Sequence, residues 1–263
     1  MGFSLRLALA LALISALEAD AAANKAKASN GAKLCKEEPD IVVERNLALT
    51  GYHRELQTVI HSRNRLKVKG RSPTLLLVEA IPPGAYVDAY QLRLLGDSDA
   101  TFGLRGKVDV EEMAHQASEL SVFTFLPLNE TSVLATLPVH MRYHKAQSCL
   151  ADGPFAKVAL HPPSIYFRHP DLDFPDTCED LHLLPCDAAN IERLCPWKQL
   201  QVANLRNERK PSLLQVNALT AEVPVGCLED GFLVSTTTLV TYSLCSIAIA
   251  YYVFMHGKKP RSD

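Results

Sequence analysis

Apolar and polar residues alternate most cleanly from Val133 to Tyr143. Val133, Ala135, Leu137, Val139, Met141 and Tyr143 take one side, and Thr136, Pro138, His140, Arg142 and His144 take the other. A period of two is that of a strand with one buried face. Leu134 breaks the pattern at its start, and Pro138, which has no N–H to donate, predicts an edge strand or a bulge. Further apolar runs cover Ile41 to Leu49, Leu75 to Ile81, Tyr86 to Leu95, Leu120 to Leu126, Lys157 to Leu160 and Ile165 to Phe167. Pro82-Pro83-Gly84, Gly96-Asp97, Asp152-Gly153-Pro154 and Pro162-Pro163 separate many of them. This spacing predicts a mainly β fold, a β-sandwich-like domain, and the 16 prolines fit it better than a helical one. Val108 to Ser118 reads as one short helix. Pro170 to Asn207, with weak periodicity and three cysteines, reads as a disulfide-held extension of the same domain.

Both ends carry longer apolar segments. After Met1-Gly2-Phe3-Ser4-Leu5-Arg6, the run Leu7 to Leu17 is too short to cross a bilayer as a helix but fits the core of a signal peptide. Ala19-Asp20-Ala21 and Ala21-Ala22-Ala23 both offer small-residue cleavage sites, and Arg6 stands where a myristoylation motif needs Ser or Thr. Near the other end, Phe232 to Phe254 is 23 residues without a charge. As a helix it spans roughly 34 Å at 1.5 Å per residue, enough to cross a membrane. Glu229 and Asp230 precede it and Lys258, Lys259 and Arg261 follow, which predicts a cytosolic tail. Tyr251 and Tyr252 sit near that boundary, and the basic residues argue against a lipid-anchor attachment signal. The expected organisation is a signal peptide over 1–23, a mobile leader over 24–34, and a luminal β-rich domain over 35–230. A transmembrane helix over 231–255 and a cytosolic tail over 256–263 complete it. Lys258 and Lys259 hint at retention in the endoplasmic reticulum (ER).

A net charge of −2 excludes a strong nucleic-acid signature. Of seven cysteines, Cys245 falls in the span, leaving Cys35, Cys149, Cys178, Cys186, Cys195 and Cys227. Six in an oxidising compartment predict disulfides, with every pairing open. The spacing of Cys178, Cys186 and Cys195 lacks the close pairs of a structural zinc site. Asn129-Glu130-Thr131 is the one N-glycosylation sequon, placing Asn129 in a loop.

Catalytic patterns are sparse. His140 and His144 on one strand stand roughly 13 Å apart at about 3.3 Å per residue, too far to share a metal. His140, Arg142 and His144 read instead as a solvated or partner-facing basic strip. Asp97-Ser98-Asp99 and Asp171-Leu172-Asp173 have the Asp-x-Asp form of many glycosyltransferases, but acidic pairs of this kind are common in turns. No nucleophile elbow and no phosphate-binding glycine loop occurs, and no cofactor is expected. Trp197, after Cys195-Pro196, is expected to pack on a disulfide. In the span, Thr237, Thr241, Cys245 and Ala248 recur at helical spacing as a stripe of small side chains fit to dock another membrane helix. A helix whose hydroxyls bond their own backbone is the alternative.

Several stretches carry a resemblance to a known family: Gly51-Tyr52-His53-Arg54-Glu55-Leu56; Ile81-Pro82-Pro83-Gly84-Ala85-Tyr86-Val87-Asp88-Ala89-Tyr90-Gln91-Leu92; Leu137-Pro138-Val139-His140-Met141-Arg142-Tyr143-His144; and Val223-Pro224-Val225-Gly226 just before the span. In order and placement the chain resembles the PIG-X family, accessory subunits of glycosylphosphatidylinositol (GPI) mannosyltransferase I, over about Cys35 to Phe254. The resemblance implies a type I ER membrane protein that binds and stabilises the polytopic catalytic subunit. That partner adds the first mannose to glucosaminyl-phosphatidylinositol from dolichol-phosphate-mannose. The residues alone leave two alternatives: an interaction ectodomain in the ER lumen or at the cell surface, and a luminal glycosyl-transferring or hydrolytic enzyme using the paired aspartates.

Overall fold

The computed structural model describes residues 35, 40–63, 73–95, 100–128, 131–169, 174–175, 178–200 and 218–256. The expected signal peptide and leader, Asn129, both Asp-x-Asp pairs and the basic tail lie outside them.

Two antiparallel sheets form the body. The first has the order β1 (Ile41–Ala48), β2 (His53–Ser62), β7 (Ser132–Met141), β4 (Ala85–Tyr86). The second has the order β10 (Leu181–Pro185), β11 (Leu194–Gln199), β9 (Ser164–Arg168), β3 (Thr74–Ile81), β6 (Leu120–Pro127), β5 (Thr101–Arg105). A ribbon of β8 (Phe155–Leu160) and β12 (Leu219–Pro224) closes one end. The β-sandwich expectation therefore holds, and β7 buries Val133, Ala135, Leu137, Val139 and Met141 as its alternation requires. Pro138 pairs with Glu55 of β2, while β4 reaches only Met141 and His140, so the proline faces no second ladder.

Two local expectations are corrected. Residues 86–95 are not one strand: only Ala85–Tyr86 pairs, and helix α1 (Ala89–Leu94) follows. Asp88 starts that helix by accepting the Tyr90 N–H at 2.8 Å. Residues 108–118 form turns and no helix. The Asp109 side chain accepts from Glu111 N at 3.0 Å, a local bond that competes with helix formation.

The interior is divided by a polar belt. At one end Val43, Ile60, Leu77 and Leu126 belong to one apolar cluster, and at the other Leu56, Ile81, Val122 and Leu137 belong to a second. Between them the inward positions of β1, β2, β3 and β6 are Arg45, Thr58, Glu79 and Thr124. Arg45 reaches across the sandwich to Glu79 at 2.7 Å, their side chains 1% and 5% exposed, and Arg45 Nη1 donates to His161 O at 2.9 Å. Burial pushes the Glu79 carboxyl up and the Arg45 guanidinium down, and their mutual attraction opposes both shifts. Taking both charges out of water costs desolvation, which their mutual attraction and the Arg45 bond to His161 O oppose.

A third cluster, with Leu76, Phe123, Phe125, Tyr166, Cys195 and Trp197, covers the outer face of the second sheet. It explains why β3 is apolar on both faces over Leu75–Val78: Leu75 and Leu77 are buried inside the sandwich, and Leu76 and Val78 lie under this third cluster. The β10–β11 hairpin over it is closed by Cys186–Cys195, and Trp197 Nε1 donates to Pro185 O at 3.0 Å. Cys35–Cys178 and Cys149–Cys227 complete the pairing of the six cysteines.

Removing one partner of the buried pair leaves the other charge stranded. Glu79→Ala should lower unfolding free energy by about 3–5 kcal/mol, whereas Arg45→Met combined with Glu79→Leu should lower it far less. Denaturant unfolding of the purified protein checks this; equal losses in the two variants would mean that the pair is not the determinant.

Candidate partner-binding face and membrane joint

The four stretches that carry the resemblance are far apart in sequence but meet at one end of the sandwich. Residues 51–56 lie along 137–144, with His53 opposite His140 and Leu56 opposite Leu137. Residues 81–92 reach the other edge of β7, Ala85 opposite Met141 and Tyr86 opposite His140, and Arg142 N donates to Gly84 O at 2.9 Å. Glycine is needed at 84 because a Cβ there would stand 2.8 Å from a Val158 methyl. Residues 223–226 join through Tyr52, whose hydroxyl donates to Pro224 O at 3.3 Å. Nearby, Arg54 Nη2 donates to Glu222 O at 3.3 Å.

His140 is the centre of this face. Its ring stacks on Tyr86 at 5.0 Å, meets His53 edge-on at 4.3 Å, and its Nε2 is hydrogen-bonded to Gln91 Oε1 at 2.9 Å. Burial holds its imidazole below the ordinary value, His53 adds to the effect, and Asp88 opposes it.

Arg142 departs from the expected exposed strip, being 3% exposed. Its Nη1 donates to Asp109 O at 2.5 Å and Glu112 O at 2.6 Å, and its guanidinium lies 4.8 Å over the Tyr86 ring. The reason is tertiary. Residues 107–119 fold over the end of β7, where Ala114 N also donates to Tyr143 O at 2.9 Å, so a residue on the polar side of the strand is roofed. Its role is to tether that loop. His140 and His144 are half-buried, and His144 Nδ1 lies 3.0 Å from Arg142 O. The open part of the face is contributed by His53, Tyr90, Leu94 and Tyr143, all exposed. Read as a strand, the apolar run 86–95 hides Tyr90 and Leu94 as surface residues; their i, i+4 spacing in α1 is the signal that pairs them.

Beside this face the chain passes into α3 (Gly231–His256), one residue longer than the expected 231–255 and without a buried side chain. Among the described residues it is the one helix long and apolar enough to cross a membrane. Its approach is tightly bonded. Val225 N donates to Pro154 O at 3.0 Å, Gln147 N to Gly226 O at 3.0 Å, and Leu228 N to Gln147 O at 2.9 Å. Cys227 is bridged to Cys149 at the start of the short helix α2 (Cys149–Asp152). Glu229 then caps α2, accepting from Ser148 Oγ at 2.5 Å and Cys149 N at 3.1 Å. These bonds, the Ser148 hydroxyl first, hold its carboxyl below the usual range.

Within α3, Thr237, Thr241, Cys245 and Ala248 fall on one face by spacing. The Thr237 hydroxyl donates back to Leu233 O at 2.8 Å, as Thr236 and Thr238 do to their own turns. The span thus satisfies these hydroxyls internally and presents the stripe as small shape. Cys245 is the free cysteine among the described residues.

Among the described residues the one group with metal-like proximity is Cys149, Cys227 and Glu229. Its two sulfurs are bonded to each other and its carboxylate is committed to α2, so it offers no ligand set. A hollow of about 290 Å³ between α1, β5 and residues 188–191 is lined by Leu92, Phe102, Leu104 and Ile191 with Arg93, a lining without nucleophile or carboxylate.

The lowered His140 value has a defined sign. The folded protein binds this proton less readily than the unfolded chain, so the contribution is present above pH 6.5 and is lost as pH falls below it. His140→Gln should flatten the decline of thermal stability between roughly pH 6.5 and pH 5. An unchanged slope would assign the decline to other groups.

Residues 49–254 match the family described as PIG-X / PBN1. The chain is similar to the mouse protein named "GPI alpha-1,4-mannosyltransferase I, stabilizing subunit", 27% identical over 226 residues, covering 83% of each chain. It is likewise similar to the rat protein of that name, 27% identical over 257 residues and 94% of each chain. The human one is 28% identical over 226 residues, covering 83% of this chain and 81% of that protein. The family match runs from the turn after β1 through the rest of the β domain and the joint into α3, and this chain belongs to the PIG-X / PBN1 family.

Proposed function

We propose that this chain is the non-catalytic stabilising subunit of GPI α-1,4-mannosyltransferase I, held in the ER membrane by α3 with its β domain in the lumen. The observation that carries the reading is the family match over residues 49–254, with relatives of matching extent named as that stabilising subunit. The geometry supports an assisting role. The face around His140 is built from packed rings and tethered loops, and its exposed positions are the His53 imidazole with Tyr90, Leu94 and Tyr143. The partner is the catalytic subunit, a multi-span protein whose loops meet this face while one of its helices packs on the Thr237, Thr241, Cys245 and Ala248 stripe.

The mechanism is mass action. A protein that binds only the native state of its partner stabilises that state by RT ln(1 + [L]/Kd), about 2.7 kcal/mol at a hundredfold excess over Kd. That lowers the unfolded fraction available to degradation. The signal peptide, the cytosolic tail and a glycan on Asn129 belong to the same topology.

The test is a pulse-chase of the catalytic subunit in cells lacking this chain. Its half-life should shorten severalfold and recover with the intact chain. Thr237→Leu combined with Ala248→Leu, which fills the stripe, should restore it only partly and weaken co-purification. An unchanged half-life without the chain would refute the stabilising role.

A further inference from the structure

We propose that α2 and the turn at Leu228 form an interfacial foot, with Leu150 and Leu228 seated in the headgroup layer of a zwitterionic bilayer. The inference rests on α3 crossing that bilayer.

Leu150 is 89% exposed and Leu228 62%, and Phe155, opposite Pro224 at the start of β8, is 48% exposed. Leu150 follows Cys149, which is bridged to Cys227, the residue before Leu228. The Glu229 carboxylate accepts from Ser148 Oγ and from the Cys149 N–H at 3.1 Å, one residue before Leu150. Leu150 is thus placed beside the first turn leading into α3 through its neighbour Cys149.

The depth follows from chain length. Leu228 precedes Phe232, where the apolar run begins, by four residues, or roughly 6–8 Å at 1.5–2.0 Å per residue. The interfacial region on each side of the hydrocarbon core is of similar thickness, roughly 5–7 Å. The joint has no slack to lift α2 away, because residues 225–228 and 230 are hydrogen-bonded within it.

Charge selects the lipid. Asp152, Glu229 and Asp230 surround the foot, which disfavours an anionic surface and fits a neutral one. With its position fixed, an exposed leucine in this layer gains apolar burial without leaving its place in the fold.

The test uses the full chain in phosphatidylcholine vesicles, with and without bromine near the carboxyl end of the acyl chains. The natural Trp197 is 1% exposed and supplies a constant background. Leu150→Trp should lose emission about twofold more in brominated vesicles than Leu134→Trp, an exposed β7 position roughly 23 Å back along the strand from Met141. Leu239→Trp, within α3, reports separately on whether the helix crosses. Quenching of Leu239→Trp with Leu150→Trp no more quenched than Leu134→Trp would overturn the foot and leave the span standing. Absence of quenching at both Leu239→Trp and Leu150→Trp would overturn the two together. Protection of Leu150→Trp that occurs only when the catalytic subunit is co-reconstituted would assign the patch to protein and also overturn the foot.

Discussion

The absence of slack between sheet and span is the constraint on which the rest depends. β12 ends at Pro224 and α3 begins at Gly231, and the intervening residues are occupied by main-chain bonds, the Cys149–Cys227 bridge and the Glu229 cap. A flexible stalk would let the β domain sample any height and azimuth above a membrane. A bonded joint instead ties the residues that lead into the helix to the sandwich. The domain face and the small-residue stripe proposed to meet a partner are thus joined by a short bonded segment, a connection under which contact at one would lower the entropic cost of contact at the other.

The same constraint explains the placement of the candidate face. It lies at the end of the sandwich next to the joint, where β2, β4 and β7 bring three of the recognised stretches together and Tyr52 bonds the fourth at Pro224. Arg142 stabilises the roof from beneath, its guanidinium spent on carbonyls of the 107–119 loop. The polar belt of Arg45 and Glu79 lies deeper in the sandwich and concerns the body. Buried ion pairs contribute little net stability, but they penalise strand registers that would separate the two charges.

Legibility in the sequence followed how local each signal was. β7 was readable because one side of it is buried from Val133 to Met141 while the other carries Thr136 and His140, both half-buried, which writes a period of two into the strand. β2 was missed since its outward His53, Glu55, Gln57 and His61 dilute the inward Leu56 and Ile60. Val110, Met113, Ala114 and Ala117 carry helical spacing, yet the carbonyls of Asp109 and Glu112 go to Arg142, a partner 30 or more residues away. The burial of Arg142 was invisible for the same reason: strand alternation assigns a side and says nothing of a loop that later covers it. Disulfide pairing depended on separations of 143 and 78 residues that only the sheet order settles. The four stretches were recognisable in the sequence, whereas their convergence was a property of the fold.

An assisting subunit and one that completes an active site differ in what happens at the instant of its release. The decisive measurement is the time course of mannose transfer by the purified complex immediately after this chain is dissociated. A stabiliser predicts an initial rate within about twofold of the intact complex, followed by faster decay as the catalytic subunit unfolds. An immediate loss of transfer while the catalytic subunit remains folded would contradict the account.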